Sequence, residues 1–295
     1  MSCKQNFVLF ADTDMDMTLK IAKEYGYAGL ISMPYTLEDK EVWPYQDFQT
    51  FNAHEFYEKL RHGATPTTSG LSPYTYEQYF EPYFKQGKDI MYVHFSETMS
   101  GTFSAMQIAL EELHEKYPAR KFYSIDTKAI SIGGLAIARE IGQLYQQGKS
   151  AEEIISWAQD NVEKFATYFF ATNLSFFRRS GRVKALTAIF GNLLGIKPVI
   201  NMGSDGVMKS IDKAVGTRGV VAKIMSYVEK LQDNIAGYQI LIAHADCMQT
   251  AKLVEEQLTQ KFGKNLNIRY VDVNPTAGAH CGPDAVGVCF HAIHR

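Results

Sequence analysis

Short apolar runs alternate with longer segments of helical period along this chain, and no other feature constrains its fold as much. Residues 6–12 (NFVLFAD), 89–96 (DIMYVHFS) and 121–126 (KFYSID) read as buried strands. Between the last two, Phe103, Met106, Leu110, Leu113 and Tyr117 recur at helical spacing, and Pro118 ends the segment. Helices are expected from Tyr74, over 133–147 and over 151–165. Strands joined by helices of this length form βαβ units and a mostly parallel sheet. The second half changes character. Strands are expected at 166–172, 198–202, 206–212, 238–245, 267–273 and 285–290, with helices at 220–231 and 250–262. Ser204-Asp205-Gly206 is a turn signal between two of those strands, so a mixed sheet with at least one hairpin is predicted. The expected fold class is α/β, with a domain boundary near residue 160. The 295 residues agree with two domains at roughly 100–200 residues each.

Composition narrows the function classes. Apolar residues make up 46% of the chain and charged residues 21%, which is globular rather than disordered. Thirty basic and 32 acidic side chains leave a net charge of −2, which argues against a nucleic-acid binder built on phosphate neutralisation. Four cysteines without a CxxC pair make no disulfide framework. The N-terminus does not read as a signal peptide, and the apolar run 129–138 is half of the ~20 residues a membrane span needs. The expectation is a cytoplasmic protein with reduced thiols.

Five segments carry polar chemistry. Asp12-Thr-Asp-Met-Asp-Met-Thr18 follows a strand, at the end where open α/β sheets bind ligands. It lacks the Gly and Glu of a calcium loop. Asp14-x-Asp16-x-Thr18 matches a short phosphatase nucleophile motif, and equally a polar turn with a helix N-cap at Asp16 or Thr18. Residues 64–73 hold five hydroxyls and two prolines before a helix. Ser96-Glu-Thr-Met-Ser-Gly-Thr102 joins a strand to a helix. Both loops can cap helices. Together they can hold an anion with hydroxyls and N–H groups, and the absence of an adjacent lysine suits a carboxylate better than a triphosphate. Arg178, Arg179, Arg182 and Lys184 crowd a glycine turn, as a solvated loop or as a surface for phosphate or an acidic partner. In Ala279-His-Cys-Gly-Pro-Asp-Ala285, His280 can bond a carboxylate or act as a base. His244, Cys247, His280 and Cys281 match no standard zinc spacing, so no metal is expected.

Taken in order, these segments resemble the DegV family of fatty-acid-binding proteins, which includes the binding subunits of bacterial fatty acid kinase. The matching stretches are Asp12-Thr13-x-x-Asp16, Pro66-Thr-Thr-Ser69, Met99-Ser-Gly-Thr-Phe103, Ser124-Ile-Asp-Thr127, Ser180-Gly-Arg182, Gly191-Asn-Leu-Leu-Gly-Ile-Lys-Pro198 and His280-Cys-Gly-Pro283. The resemblance implies a Rossmann-like domain over 1–160 carrying the hydroxyl loops. It implies a mixed-sheet domain over 161–295 that completes a lipid tunnel between the two. It assigns the lipid carboxylate to Thr68 and Ser100 with His280 nearby, flanked by Thr67, Gly101 and Thr102. It implies no catalysis by this chain and no cofactor. The fatty acid would be presented to a separate ATP-dependent kinase that makes acyl phosphate. Arg178, Arg179, Arg182 and Arg218 are the candidates for facing that partner or a membrane in transient contact.

The sequence departs from the family pattern at three places. Gly70-Leu71 replace the usual Gln-Pro, Asp284 replaces a glycine, and Gly216 stands where a basic residue is common, whereas Arg218 matches. Asp284 either repels a second anion or caps its turn. The rival readings are a phosphatase or other hydrolase using Asp14 and Asp16, and a carrier of another amphipathic carboxylate.

Overall fold

The structure is a computed structural model that describes residues 6–45, 51–181 and 195–295. Its strands are, in chain order, β1 (Phe7–Asp12), β2 (Gly29–Ile31), β3 (Tyr35–Leu37), β4 (Lys40–Val42), β5 (Thr67–Thr68), β6 (Asp89–His94), β7 (Phe122–Asp126), β8 (Phe165–Phe170), β9 (Ile196–Met202), β10 (Met208–Val215), β11 (Gln239–His244), β12 (Asn267–Asp272) and β13 (Val286–His291). The helices are α1 (Leu19–Tyr25), α2 (Ala53–Arg61), α3 (Pro73–Lys85), α4 (Thr102–Lys116), α5 (Ile132–Gln146), α6 (Ala151–Asn161), α7 (Ser175–Arg179), α8 (Gly216–Leu231), α9 (Met248–Phe262) and α10 (Pro275–Cys281).

The run FVLFAD is apolar on both faces because both faces are covered, as a parallel sheet requires. Four strands pair in the order β2-β1-β6-β7, all parallel. Alternation along β1 points Phe10 at Phe80 and Tyr83 of α3, and Phe7 at Tyr145 of α5. Helix α5 then packs its other side on β8, β11 and β13 of a six-stranded mixed sheet. That sheet runs β10-β9-β8-β13-β11-β12 and is antiparallel except between β11 and β12. Its far face buries Tyr168, Phe170, Val288 and Phe290 under α8 and α9. The layers are therefore helix, parallel sheet, α5, mixed sheet, helix.

Helix α5 is buried along most of its length, and consecutive glycines let it touch both neighbours. A Cβ on Gly133 would stand 2.7 Å from Thr167 Oγ1 in the mixed sheet. One on Gly134 would stand 2.5 Å from Met15 Cγ, in the turn after β1. A small antiparallel sheet, β4-β3-β5, lies beside α2, and both β5 and α2 pack on α10.

Most expected elements are present, with three shifts. The helix from Ala151 stops at Asn161, a short 3-10 turn follows, and β8 begins at Phe165. Helix α8 starts at Gly216 rather than 220, and β10 runs to Val215 rather than 212. The 204–206 turn makes the β9–β10 hairpin, with Gly206 at φ +74°.

Candidate functional site

A chamber lies between the N-terminal layers and the mixed sheet. It encloses about 620 Å³ of space between atoms, part of it open to solvent. Its wall is almost wholly apolar and includes Met99, Ile130, Phe169, Phe177, Met202 and Met208. Next to it is a polar vestibule of about 700 Å³, again partly open, lined by Thr65, Thr67, Thr68, Arg179, Ser180 and His280 among others. His280 belongs to both walls, so the chamber and the vestibule flank the same residue. Thr68 Oγ1 lies 3.3 Å from His280 Nε2.

A set of five hydrogen bonds holds this junction. Asn274 caps α10 by accepting from the Ala277 N–H at 2.8 Å. Its own N–H and side-chain amide donate to Asp16 Oδ1 at 2.8 and 2.7 Å, and Ser131 O–H donates to Asp16 Oδ2. One carboxylate thus ties the turn after β1 to the starts of α5 and α10. Helix α2 braces α10 from outside, with Tyr57 O–H donating to Val273 O at 2.9 Å. A Cβ on Gly278 would come within 2.5 Å of that hydroxyl. The β9–β10 hairpin closes the chamber elsewhere. Ser96 and Thr98 hydroxyls both donate to Gly206 O, at 2.8 and 2.9 Å, which brings Met99 beside Met202 and Met208.

The expected site residues fall into distinct groups. Thr68 and His280 meet, and exposed Thr67 stands with them in the vestibule. Ser100 is half-buried, and its Oγ accepts from Thr102 N–H at 3.3 Å. It lines neither space, although its neighbour Met99 does. Gly101 is exposed at the start of α4. The Thr102 hydroxyl is buried, accepts from Leu71 N–H at 2.9 Å and shares a hydrogen bond with Tyr76 O–H at 3.0 Å. It therefore joins the two hydroxyl loops, and Leu71 fills the core there. Arg179 lines the vestibule with its guanidinium 4.5 Å from the centre of the Phe176 ring. Arg178 and Arg218 are exposed, on α7 and the first turn of α8. Arg182, Lys184 and residues 191–194 of the family-matching stretch lie outside the described residues.

Neither Asp14 nor Asp16 lines the chamber or the vestibule, and both are buried. Burial pushes the Asp16 carboxyl up to about 6 against the pull of its Ser131 and Asn274 bonds. Asp12 is pushed up to about 7 by the same cause, opposed by its bonds from Phe95, Tyr92 and Asp14. Of the two caps weighed for this segment, Thr18 serves α1 and Asp16 does not. In the chamber wall, burial pushes the Cys281 thiol up to about 12, so it stays a neutral thiol at physiological pH.

Sequence reasoning did not anticipate the ion-pair cluster on α2. Arg61 donates to Glu58 at 2.7 Å, to Asp284 at 2.8 Å, to Asp246 O at 3.0 Å and to the Asp246 carboxylate. The partner of Asp284 is thus a cation from α2. Asp284 holds φ +64°, a conformation that Asp tolerates better than most side chains. His54, Glu58 and Asp246 are the one group among the described residues placed to share a metal ion, and Arg61 already bonds both carboxylates there.

This layering has counterparts. A family model described as "Uncharacterised protein, DegV family" matches residues 6–292. A DegV domain-containing protein of Clostridium perfringens is 33% identical over 294 residues, covering 97% of each chain. The chain belongs to the DegV family. Solved DegV structures share its fold at lower identity. A fatty-acid-binding DegV protein of Thermus thermophilus superposes with a TM-score of 0.84 at 19% identity, over 98% of this chain and 100% of that one. A DegV protein of Ruminococcus gnavus with vaccenic acid gives 0.83 at 22% identity, over 97% and 100%. A stearic-acid-binding protein of Eubacterium ventriosum gives 0.82 at 18%, over 97% and 98%. No described helix of this DegV chain is long and apolar enough to cross a membrane.

Proposed function

We propose that this DegV protein binds a long-chain fatty acid, with its tail in the apolar chamber and its carboxylate at the Thr68–His280 junction. The observation that carries this reading is an apolar chamber and a hydroxyl-lined vestibule that share one histidine, His280, in their walls. Each buried CH₂ contributes about 0.8 kcal/mol, so a long tail supplies much of the affinity. The hydroxyls and His280 supply charge-assisted bonds to the head group. Ser100 joins the head-group contacts by a short movement of its loop. The two lobes, meeting near residue 160, form the wall between them. The protein works in the cytoplasm as a carrier with no chemistry of its own, and the vestibule leaves the carboxylate reachable by a separate ATP-dependent kinase. Arg179, beside the head group, and Arg178 and Arg218 on the surface are its contacts with that partner or with a membrane.

The test is to purify the protein natively, denature it, extract it and identify the extract by mass spectrometry. A stoichiometric C14–C18 fatty acid supports the reading. A different amphipathic carboxylate would replace the ligand. An empty protein with magnesium-dependent phosphatase activity would overturn the reading in favour of Asp14 and Asp16. If the loaded protein gives no acyl phosphate with a fatty acid kinase catalytic subunit and ATP, the presenting role falls and the binding role stands.

A further inference from the structure

Arg61, the last residue of α2, touches three separate segments. Its guanidinium donates to Glu58 on its own helix, to the carboxylate and carbonyl of Asp246 after β11, and to the Asp284 carboxylate before β13. The last two segments are already paired through backbone. Asp284 N–H donates to Ala245 O, and Ala245 N–H to Ala285 O, both at 2.9 Å. The planar guanidinium fork serves these acceptors together. Without it, the Asp246 and Asp284 carboxylates lose the cation they share and repel each other.

Asp284 follows directly on the helix that carries His280. Helix α10 contributes Ala277, His280 and Cys281 to the chamber wall and Ala279 to the vestibule. Its start is tied through Asn274 to Asp16. Its end turns at Gly282, φ +73°, and Asp284, φ +64°, and Arg61 is bonded at that turn. Helix α2 covers its outer side, with Gly278 against the Tyr57 hydroxyl. One side chain thus secures both the outer brace of α10 and its C-terminal anchor. The two anchors differ in kind. Asp16 is 3% exposed, whereas the Arg61 and Asp284 side chains are 27% and 47% exposed. The anchor that water reaches is the weaker one and the first to release.

Building on the fatty-acid reading above, we propose that Arg61 is a latch that holds α10 against the chamber, so that fatty acid enters and leaves when the Arg61–Asp246–Asp284 contact opens. The latch closes the same wall with or without ligand. It therefore slows entry and exit alike and leaves the binding equilibrium nearly unchanged.

Stopped-flow fluorescence of the delipidated full-length protein with a conjugated polyene fatty acid, which is itself fluorescent, reads association and release separately. Arg61→Gln should speed both about tenfold, the scale of one charge-assisted hydrogen bond, and keep the dissociation constant within about twofold. Asp284→Gly, which suits φ +64°, should act in the same direction. Arg269→Gln is the control. It removes a two-bond pair with Glu24 from an arginine of similar exposure, 25%, and should leave both rates unchanged. In ligand-free protein, amide hydrogen exchange over residues 277–282 should be faster in Arg61→Gln than in wild type. The inference is overturned if Arg61→Gln changes release alone or neither rate, if Arg269→Gln matches it, or if exchange over 277–282 is unaltered. If the wild type binds no fatty acid, the fatty-acid reading has failed, and the exchange result still decides whether Arg61 holds α10.

Discussion

Thr68 and His280 stand 212 residues apart in the chain and 3.3 Å apart in space. Neither is marked by its own neighbourhood, because a Thr in a hydroxyl-rich loop and a His before Gly-Pro both have ordinary structural uses. Their pairing arises from β5 and α10 packing together, which no local pattern encodes. The two hydroxyls Thr68 and Thr102 should separate binding from folding. Thr68→Val is expected to weaken fatty-acid affinity about tenfold with little change in stability, since it removes one bond to a partly solvated head group. Thr102→Val should instead cost ~1–3 kcal/mol in urea unfolding, because the buried Leu71 N–H and Tyr76 O–H lose their partner. Ligand affinity falling equally for both variants would remove the distinction. Asp16 illustrates the same limit of local reading. Its acidic turn was legible in the sequence, whereas its partner Asn274, 258 positions away, was not.

At the scale of elements, long periodic segments were readable and short ones were not. Strands β1, β6, β7 and β11 and helices α4 and α9 fall within a few residues of their expected places. Strands β2 to β5 span two or three residues each, too short for alternation to register, and their pairing is set by the elements around them. The overrun of α6 has a clear cause. Val162 and Phe165 continue the helical period while both are buried against other layers. Helix α8 was read short because Gly216 and Gly219 are poor helix formers, and its apolar stripe begins only at Val220. The charged tie among the first turn, α5 and α10 makes a prediction about pH. The Asp16 carboxyl is raised in the folded state, to about 6 from 3.8, so the folded protein binds that proton more readily than the unfolded chain. Its contribution to stability therefore grows as pH falls through about 6 and levels off below about 4. Buried His94, held below its ordinary value by desolvation, acts in the opposite direction as pH falls through its range. The difference between wild type and Asp16→Asn isolates the carboxylate. Between pH 8 and pH 5 the wild type should gain roughly 1–3 kcal/mol on the variant in denaturant unfolding. A pH-independent difference would show that the buried charge is fully offset by Ser131 and Asn274.

For the whole molecule, the chamber sits inside the packing rather than on its surface, walled by the mixed sheet, the start of α5 and α10. A ligand there adds contacts among the mixed sheet, α10 and the start of α5, so loading should read out as global stability. Fatty acid at a hundred times its dissociation constant contributes about 2.7 kcal/mol, which for a chain of this size raises Tm by about 5 °C. Differential scanning calorimetry of loaded and delipidated protein checks this, and equal melting temperatures would place the ligand elsewhere.

The sharing of α5 has a further consequence for delivery. Because Gly133 touches the mixed sheet and Gly134 the turn after β1, little can slide at this helix without loosening both layers at once. On the fatty-acid reading proposed above, the cargo is in effect a removable piece of the protein's own interior. Unloading it into water would expose the tail and leave a void behind, two penalties that fall together. Transfer is therefore expected to be slow in free solution and quick against another apolar surface that takes the tail as the walls close. On these terms the protein behaves less like a cup that can be poured than like a sleeve that must be pressed against its destination.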